Sequence, residues 1–227
     1  VINSGCAPLI TGAFFQFSGG HNDEKDYPVE YWKKEIAAMK KIGMDTAIIQ
    51  FNQSDGTDLS PATERFLTAA DALEMDVFVG TMLDESTMWY VGAKFNPLWL
   101  EKESKTVAEY TSRLVKKFKG HKSFVGVYIP YEDNTLSLPG ALGDFYAAIV
   151  KAAKTEKPEL LSMISPFTCI RPGRAKSLPG EVLKKYYKTM LSRAKIDICA
   201  WQDGVGGTTD QLKKIDEYLG AIASACN

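Results

Sequence analysis

Histidine and paired cysteine are what this chain has least of. Only His21 and His121 occur, far apart and without partner spacing, and the four cysteines, Cys6, Cys169, Cys199 and Cys226, include no CxxC pair. Zinc and thioredoxin-like chemistry have no ligand set to work with, and we expect neither a metal nor a cofactor. An excess of one charge is missing too, since 27 Lys plus Arg stand against 28 Asp plus Glu for a net charge of -1. That balance offers no basic field to a nucleic-acid backbone, so no nucleic-acid partner is expected and a neutral ligand fits better than a polyanion. No stretch approaches the ~20 consecutive apolar residues of a membrane span, and the first residues lack a basic segment leading into a long apolar run. Either the protein is cytoplasmic or its signal peptide has been removed. The cysteines lean toward the second, and we expect a secreted or extracytoplasmic protein.

Cys6 lies just before the first expected strand and Cys226 ends the last expected helix. A helix that follows a strand runs back to the end where strands begin, so these two can meet and fasten the termini; the alternative is four buried thiols. Asn52-Gln53-Ser54 is an N-glycosylation sequon, a triplet common by chance.

What the chain does have is an ordinary globular composition, 45% apolar and 24% charged over 227 residues, enough for one sizeable core. A single pattern repeats six times. Apolar, β-branched runs begin near Leu9, Met44, Asp76, Phe124, Leu160 and Ile196, most of them 35 or 36 residues from a neighbour, and each is followed by a segment of helical period. After the first run Pro28 stands where a helix begins, Trp32, Ile36 and Met39 recur on one face, and Gly43 closes it. Further helices are expected over 61–73, 97–118, 139–153, 179–193 and 208–224. Strand and helix alternating at that period imply parallel strands joined by right-handed crossovers. No linker or composition break interrupts the pattern, so residues 1–227 read as one α/β domain.

An open doubly wound sheet and a closed TIM-type barrel both accept this pattern. The open sheet usually carries a glycine-rich nucleotide turn after its first strand, and "FQFSGGHNDEKDYP" is not GxGxxG. Instead polar residues end nearly every strand: Gln16, then Gln50 and Asn52, then Asp84 and Glu85, then Glu132, then Gln202 and Asp203. Many strand ends contributing to one polar ring is the pattern of a barrel's active face. The expectation is a (β/α) barrel with six of eight units visible, in which a remaining segment or a second chain completes the barrel.

The stretch "FVGVYIPYEDN", residues 124–134, shows how such a face is built. Alternation puts Glu132 on the side of Gly126, Tyr128 and Pro130, facing the barrel interior, and Val125, Val127 and Ile129 toward the helices. The strand can then be greasy on one side and carry a carboxylate at the mouth.

The segments "PLITGAFFQF", "WKKEIAAMKKIGMDTAIIQ", "VYIPYEDN" and "AWQDGVG" together resemble DUF4434, a family of secreted barrel proteins that is itself similar to retaining (β/α)8 glycoside hydrolases. The resemblance runs over essentially the whole chain and is most specific from Gly43 to Gln50 and from Gln202 to Gly206. It implies a general acid/base at the end of the fourth strand, the position of Glu132, and a nucleophilic Glu at the end of a seventh strand, which the sequence to Asn227 does not reach.

Such a pair of carboxylates is what glycosidic cleavage needs. One protonates the leaving oxygen and the other stabilises or captures the oxocarbenium-like centre, at separations of roughly 5–5.5 Å for retention and 6.5–9.5 Å for inversion. We take Glu132 as the acid and Asp203 as the best second carboxylate present, with Asp84 or Glu85 next; an Asx turn capping the following helix is the competing role for Asp203. Gln16, Gln50, Asn52, Asp84 and Gln202 are candidate hydroxyl partners for a saccharide, and Trp89, Tyr131 and Trp201 candidate stacking surfaces. Trp99, at a helix start, reads as core. The expected function is therefore a carbohydrate-active barrel that hydrolyses a poly- or oligosaccharide. Two alternatives stay open: a non-catalytic sugar-binding or scaffold barrel, and a phosphate-binding enzyme using the Gly204–Gly207 turn before a helix N-terminus.

Overall fold

The computed structural model of the protein describes residues 11–17, 24–83, 97–132, 138–167, 179–202 and 214–226. Strand β1 (Gly12–Phe15) leads through a short 3-10 turn at Glu24–Asp26 to helix α1 (Val29–Lys41) and strand β2 (Thr46–Ile49). A small hairpin follows, β3 (Gln53–Ser54) and β4 (Thr57–Asp58), and then α2 (Ser60–Leu73), β5 (Asp76–Gly80) and β6 (Met82–Leu83). The second half runs α3 (Pro97–Phe118), β7 (Phe124–Ile129), α4 (Pro139–Glu156), β8 (Leu161–Ile164), α5 (Gly180–Ala194), β9 (Ile198–Cys199) and α6 (Ile215–Cys226).

Six of these strands form one parallel sheet in the order β1-β2-β5-β7-β8-β9. With a helix between successive strands this is a half-barrel of the TIM type. The six strand starts fall at or within three residues of the expected ones. The last helix is described from Ile215, and residues 208–213 of its expected span lie outside the described residues.

Local chemistry explains the element ends. Pro28 precedes α1, whose Trp32, Ile36 and Met39 are buried, and Gly43 takes the left-handed turn (φ +89°) that sends the chain into β2. The same left-handed exit is made by Glu74 after α2 and Lys195 after α5, whose N–H groups bond Ala70 O and Leu191 O. Neither residue announces a helix end as glycine does. Asp55 and Gly56, both at positive φ, turn the β3–β4 hairpin, a pairing the sequence reading did not anticipate although Asp-Gly is a hairpin signal.

The core has two parts. The larger lies between sheet and helices and includes Trp32, Phe66, Phe118, Tyr146, Tyr187 and Tyr218. The smaller, Ile48, Phe78, Tyr128 and Met163, is contributed by the opposite face of four adjacent strands and fills the barrel's concave side. Between β5 and β7 the register slips, with Val77 opposite Phe124 but Phe78 opposite Gly126. The extra residue is Val125, which packs with the inner cluster. The expectation that Val125 faces the helices is thus corrected: a bulge re-aims it, while Val127 and Ile129 do join the helix-facing core.

Carboxylates tie the lower rim, where strands begin. Asp71 accepts from the Ser123 N–H at 2.7 Å and pairs with His121 Nδ1 at 2.7 Å, whose Nε2 reaches Glu64 at 3.1 Å. Asp197 accepts from the N–H and hydroxyl of Ser162, both at 2.8 Å, and pairs with Lys154 at 2.8 Å. Burial alone would raise both carboxyls, but the bonds from Ser123 and His121, and from Lys154 and Ser162, outweigh it and hold both below the usual range. A depressed folded-state value contributes stability above the unfolded value and loses it as pH falls through the folded one. We therefore expect the urea midpoint to drop on acidification below about pH 4, the ordinary Asp value. The Asp71→Asn, Asp197→Asn double variant should show a flatter slope over that range.

Candidate functional site

The C-terminal ends of the strands carry the predicted site residues, and the pleat sorts them into two sets. Inner-cluster residues set the phase: Ile48 on β2, Tyr128 on β7, Met163 on β8 and Ile198 with Ala200 on β9. Two residues on from Ile48, Ala200 and Met163 come Gln50, Gln202 and Ser165, and four on from Tyr128 comes Glu132. Phe14 packs edge-on against Tyr128, with centroids 5.3 Å apart, which puts Gln16 in the same phase on β1. The parallel ladder continues past the strands proper, through Gln50 N–H to Phe15 O and Gln202 N–H to Pro166 O, so this phase holds at the rim. Gln16, Gln50, Glu132 and Gln202 therefore share the concave side. Gln16 is exposed, and Gln50, Glu132 and Gln202 are partly buried.

Tyr128, which alternation placed on Glu132's side without assigning it a role, and Ser165, which sequence reasoning passed over, knit this tier together. Tyr128, fully buried, bonds the Ser165 hydroxyl at 2.5 Å, and Gln202 Nε2 donates to Ser165 O at 2.7 Å and Oγ at 3.3 Å. Burial pushes the Tyr128 hydroxyl well above its ordinary range. The Ser165 bond pulls the other way, and the neighbouring Glu132 carboxylate adds to the rise. The phenol thus stays protonated and available to a carboxylate acceptor. The available signals were alternation, four residues back from Glu132, and Ser165, the serine that follows the apolar run "LSMI". Phe14, largely exposed on the same side, was legible only as its partner in phase.

Other predicted residues are placed elsewhere. Asn52 is 1% exposed, and its amide nitrogen donates to Tyr110 Oη at 2.6 Å and Ser60 Oγ at 3.1 Å. The candidate saccharide partner and sequon asparagine is held inside the fold, between Ser60 at the start of α2 and Tyr110 of α3. Asn52→Ala should lower stability by about 1–3 kcal/mol through the orphaned Tyr110 hydroxyl, measured by urea unfolding, with no loss of ligand affinity. Tyr131, proposed as a stacking surface, is buried against Phe145 and donates its hydroxyl to Glu103 at 2.6 Å. Past the bulge Val127 and Ile129 face the helices, and Tyr131 follows that phase. Trp201 likewise packs edge-on against Tyr218 of α6 at 6.4 Å, on the helical side. Trp99 is partly buried against the core, as expected for a helix start. Asp84, Glu85, Trp89, Asp203 and the Gly204–Gly207 turn lie outside the described residues, as do Cys6, His21 and Cys169.

Comparison with known proteins fits this geometry. The pattern of DUF4434, a domain of unknown function, matches residues 10–227. The chain belongs to that family. Among solved structures it is similar to a Bacteroides thetaiotaomicron protein assigned as an alpha-L-fucosidase, at 20% identity and TM-score 0.71, covering 93% of this chain and 70% of that one. An endocellulase from Pyrococcus horikoshii aligns at 12% identity and TM-score 0.51, over 93% of this chain and 81% of that one. An FMN-binding beta-glucuronidase from Facaelibacterium prausnitzii aligns at 16% identity and TM-score 0.49, over 74% of this chain, which spans 23% of that protein. The first two likenesses establish a TIM-type (β/α) barrel fold for the DUF4434 chain. No curated protein matches it. Among the described residues no helix is long and apolar enough to cross a membrane.

Proposed function

We propose that this DUF4434 protein is a glycoside hydrolase-like barrel acting on a poly- or oligosaccharide, with Glu132 as its general acid/base. The observation that carries the reading is the position of Glu132: it follows the fourth strand of the sheet, on the concave side, next to a buried phenol that stays protonated. A carboxylic acid there can protonate a leaving oxygen lying across the strand ends, and as a carboxylate it can later take a proton from water. Gln16, Gln50 and Gln202 are neutral amides suited to sugar hydroxyls, and the exposed Phe14 ring offers an apolar face beside them. Asp203, the residue after Gln202 in sequence, remains the proposed second carboxylate. We further propose an extracytoplasmic location, the setting expected from the cysteine usage.

The amide-rich rim equally favours a second reading, a barrel that binds saccharide without cleaving it. Incubation with a panel of aryl glycosides and polysaccharides, followed by reducing-end assay, separates the two. Release that disappears in Glu132→Gln supports catalysis. Affinity for a panel member without release, unchanged in that variant, supports the binder, and release from the unactivated polysaccharides undiminished by the substitution removes Glu132 from the chemistry.

A further inference from the structure

Cys199 and Cys226 meet near the end of the sheet where β9 begins. Cys199 belongs to β9, the two-residue strand at one edge of the parallel sheet, and Cys226 is the last residue of α6. Both line an open cavity of about 610 Å3 together with Lys188, Ser192, Asp197 and Ile198. The thiols are unbonded and close enough to interact directly with each other. Cys226 is exposed rather than one of four buried thiols, and its neighbour among the described residues is Cys199, where the sequence pointed to Cys6.

We propose that Cys199 and Cys226 form an oxidation site, joined by thiol–disulfide exchange with a small-molecule disulfide such as oxidised glutathione, and that the bond fastens α6 to the edge strand. The site makes physical sense where it stands. Among the described residues β9 pairs with β8 alone, α6 packs mainly on α5, and the ring contact of Trp201 with Tyr218 is a non-covalent link between the two. A covalent bridge would close a loop of 28 residues, Cys199 to Cys226, and restrict the unfolded chain accordingly.

The order of reaction follows from the two environments. Burial, with the Cys226 thiol adding to it, pushes Cys199 up to about 12. Cys226 is raised too, by burial, but a hydrogen bond with Cys199 opposes the rise and the side chain is solvent-accessible. Cys226 is therefore the first nucleophile. Its thiolate attacks one sulfur of oxidised glutathione, forming a mixed disulfide and expelling one glutathione thiolate. Cys199 then attacks Cys226 Sγ, forms the protein disulfide and expels the second glutathione. The two protein thiols release two protons, and their two electrons leave in the two glutathione thiols. Both steps need thiolate, so the reaction quickens as pH rises.

The test starts from fully reduced, folded protein incubated with oxidised glutathione at mildly alkaline pH, followed by alkylation, digestion and mass spectrometry. The expected result is one linked peptide pair containing Cys199 and Cys226, a loss of two hydrogen masses, and a melting temperature raised by several degrees that reductant reverses. Cys199→Ser should stop at a glutathione adduct on Cys226, which shows the order of attack without relying on the bridged form. Linkage of Cys226 to Cys6 or Cys169, or Cys199 and Cys226 both remaining alkylatable after oxidant, overturns the proposal.

Discussion

Glu132→Gln should lower turnover of an unactivated glycoside by about 10²–10⁴-fold, the usual contribution of a positioned general acid. Glutamine keeps the size and hydrogen-bonding reach of glutamate, so the Tyr128–Ser165–Gln202 tier retains its neighbour and affinity for the saccharide should hold. What disappears is the transferable proton. The loss should accordingly depend on the leaving group: nearly full for a sugar alcohol, which needs protonation to depart, and much smaller for a nitrophenolate, which does not. The pH profile supplies a second reading, since a variant without the acid should lose the alkaline limb that reports its ionisation. A uniform loss across leaving groups would assign Glu132 to binding or folding.

Gly80→Ala is expected to be the most damaging small substitution in the sheet. A Cβ at Gly80 would fall on the backbone carbonyl of Gln50 and lie 2.6 Å from Ile49 O. The obstacle is main chain of the neighbouring strand, which cannot swing aside as a side chain can, so β2 and β5 would have to part. A cost above about 3 kcal/mol follows, beyond ordinary overpacking. Gly126→Ala should follow closely, since its Cβ would meet the Phe78 ring and lie 2.8 Å from Leu161 O. Gly120, with nothing within 4 Å of an added Cβ, is the neutral control. Urea midpoints of the three variants rank the effect. Because Gly80 abuts Gln50, a variant that still folds should also misplace the amide rim.

Much of this architecture was legible because its cause is periodic. Six apolar runs at near-constant spacing oblige parallel pairing, and the helices between them announce their buried faces through residues such as Trp32, Ile36 and Met39. Alternation likewise assigned Glu132 to the concave side. The errors arose where the period is broken or where only register decides. Val125 is an extra residue in a bulge, and nothing in "FVGV" marks which residue is supernumerary. Asn52 and Tyr131 looked like rim residues because they are polar and follow strands. Burial by α2 and α3 over Asn52, and by α3 and α4 over Tyr131, requires knowing how distant segments close. Tyr128 and Ser165 meet because Tyr128 lies opposite Met163, two residues before the serine, a pairing that exists only once the strands are in register.

The enclosed amide of Asn52 bears on how this protein can be made. In a eukaryotic secretory host, an oligosaccharide attached to the nascent Asn-Gln-Ser triplet would occupy the space reserved for Tyr110 and Ser60. Chains modified before folding could not close α2 and α3 around that asparagine, and only the unmodified fraction would mature.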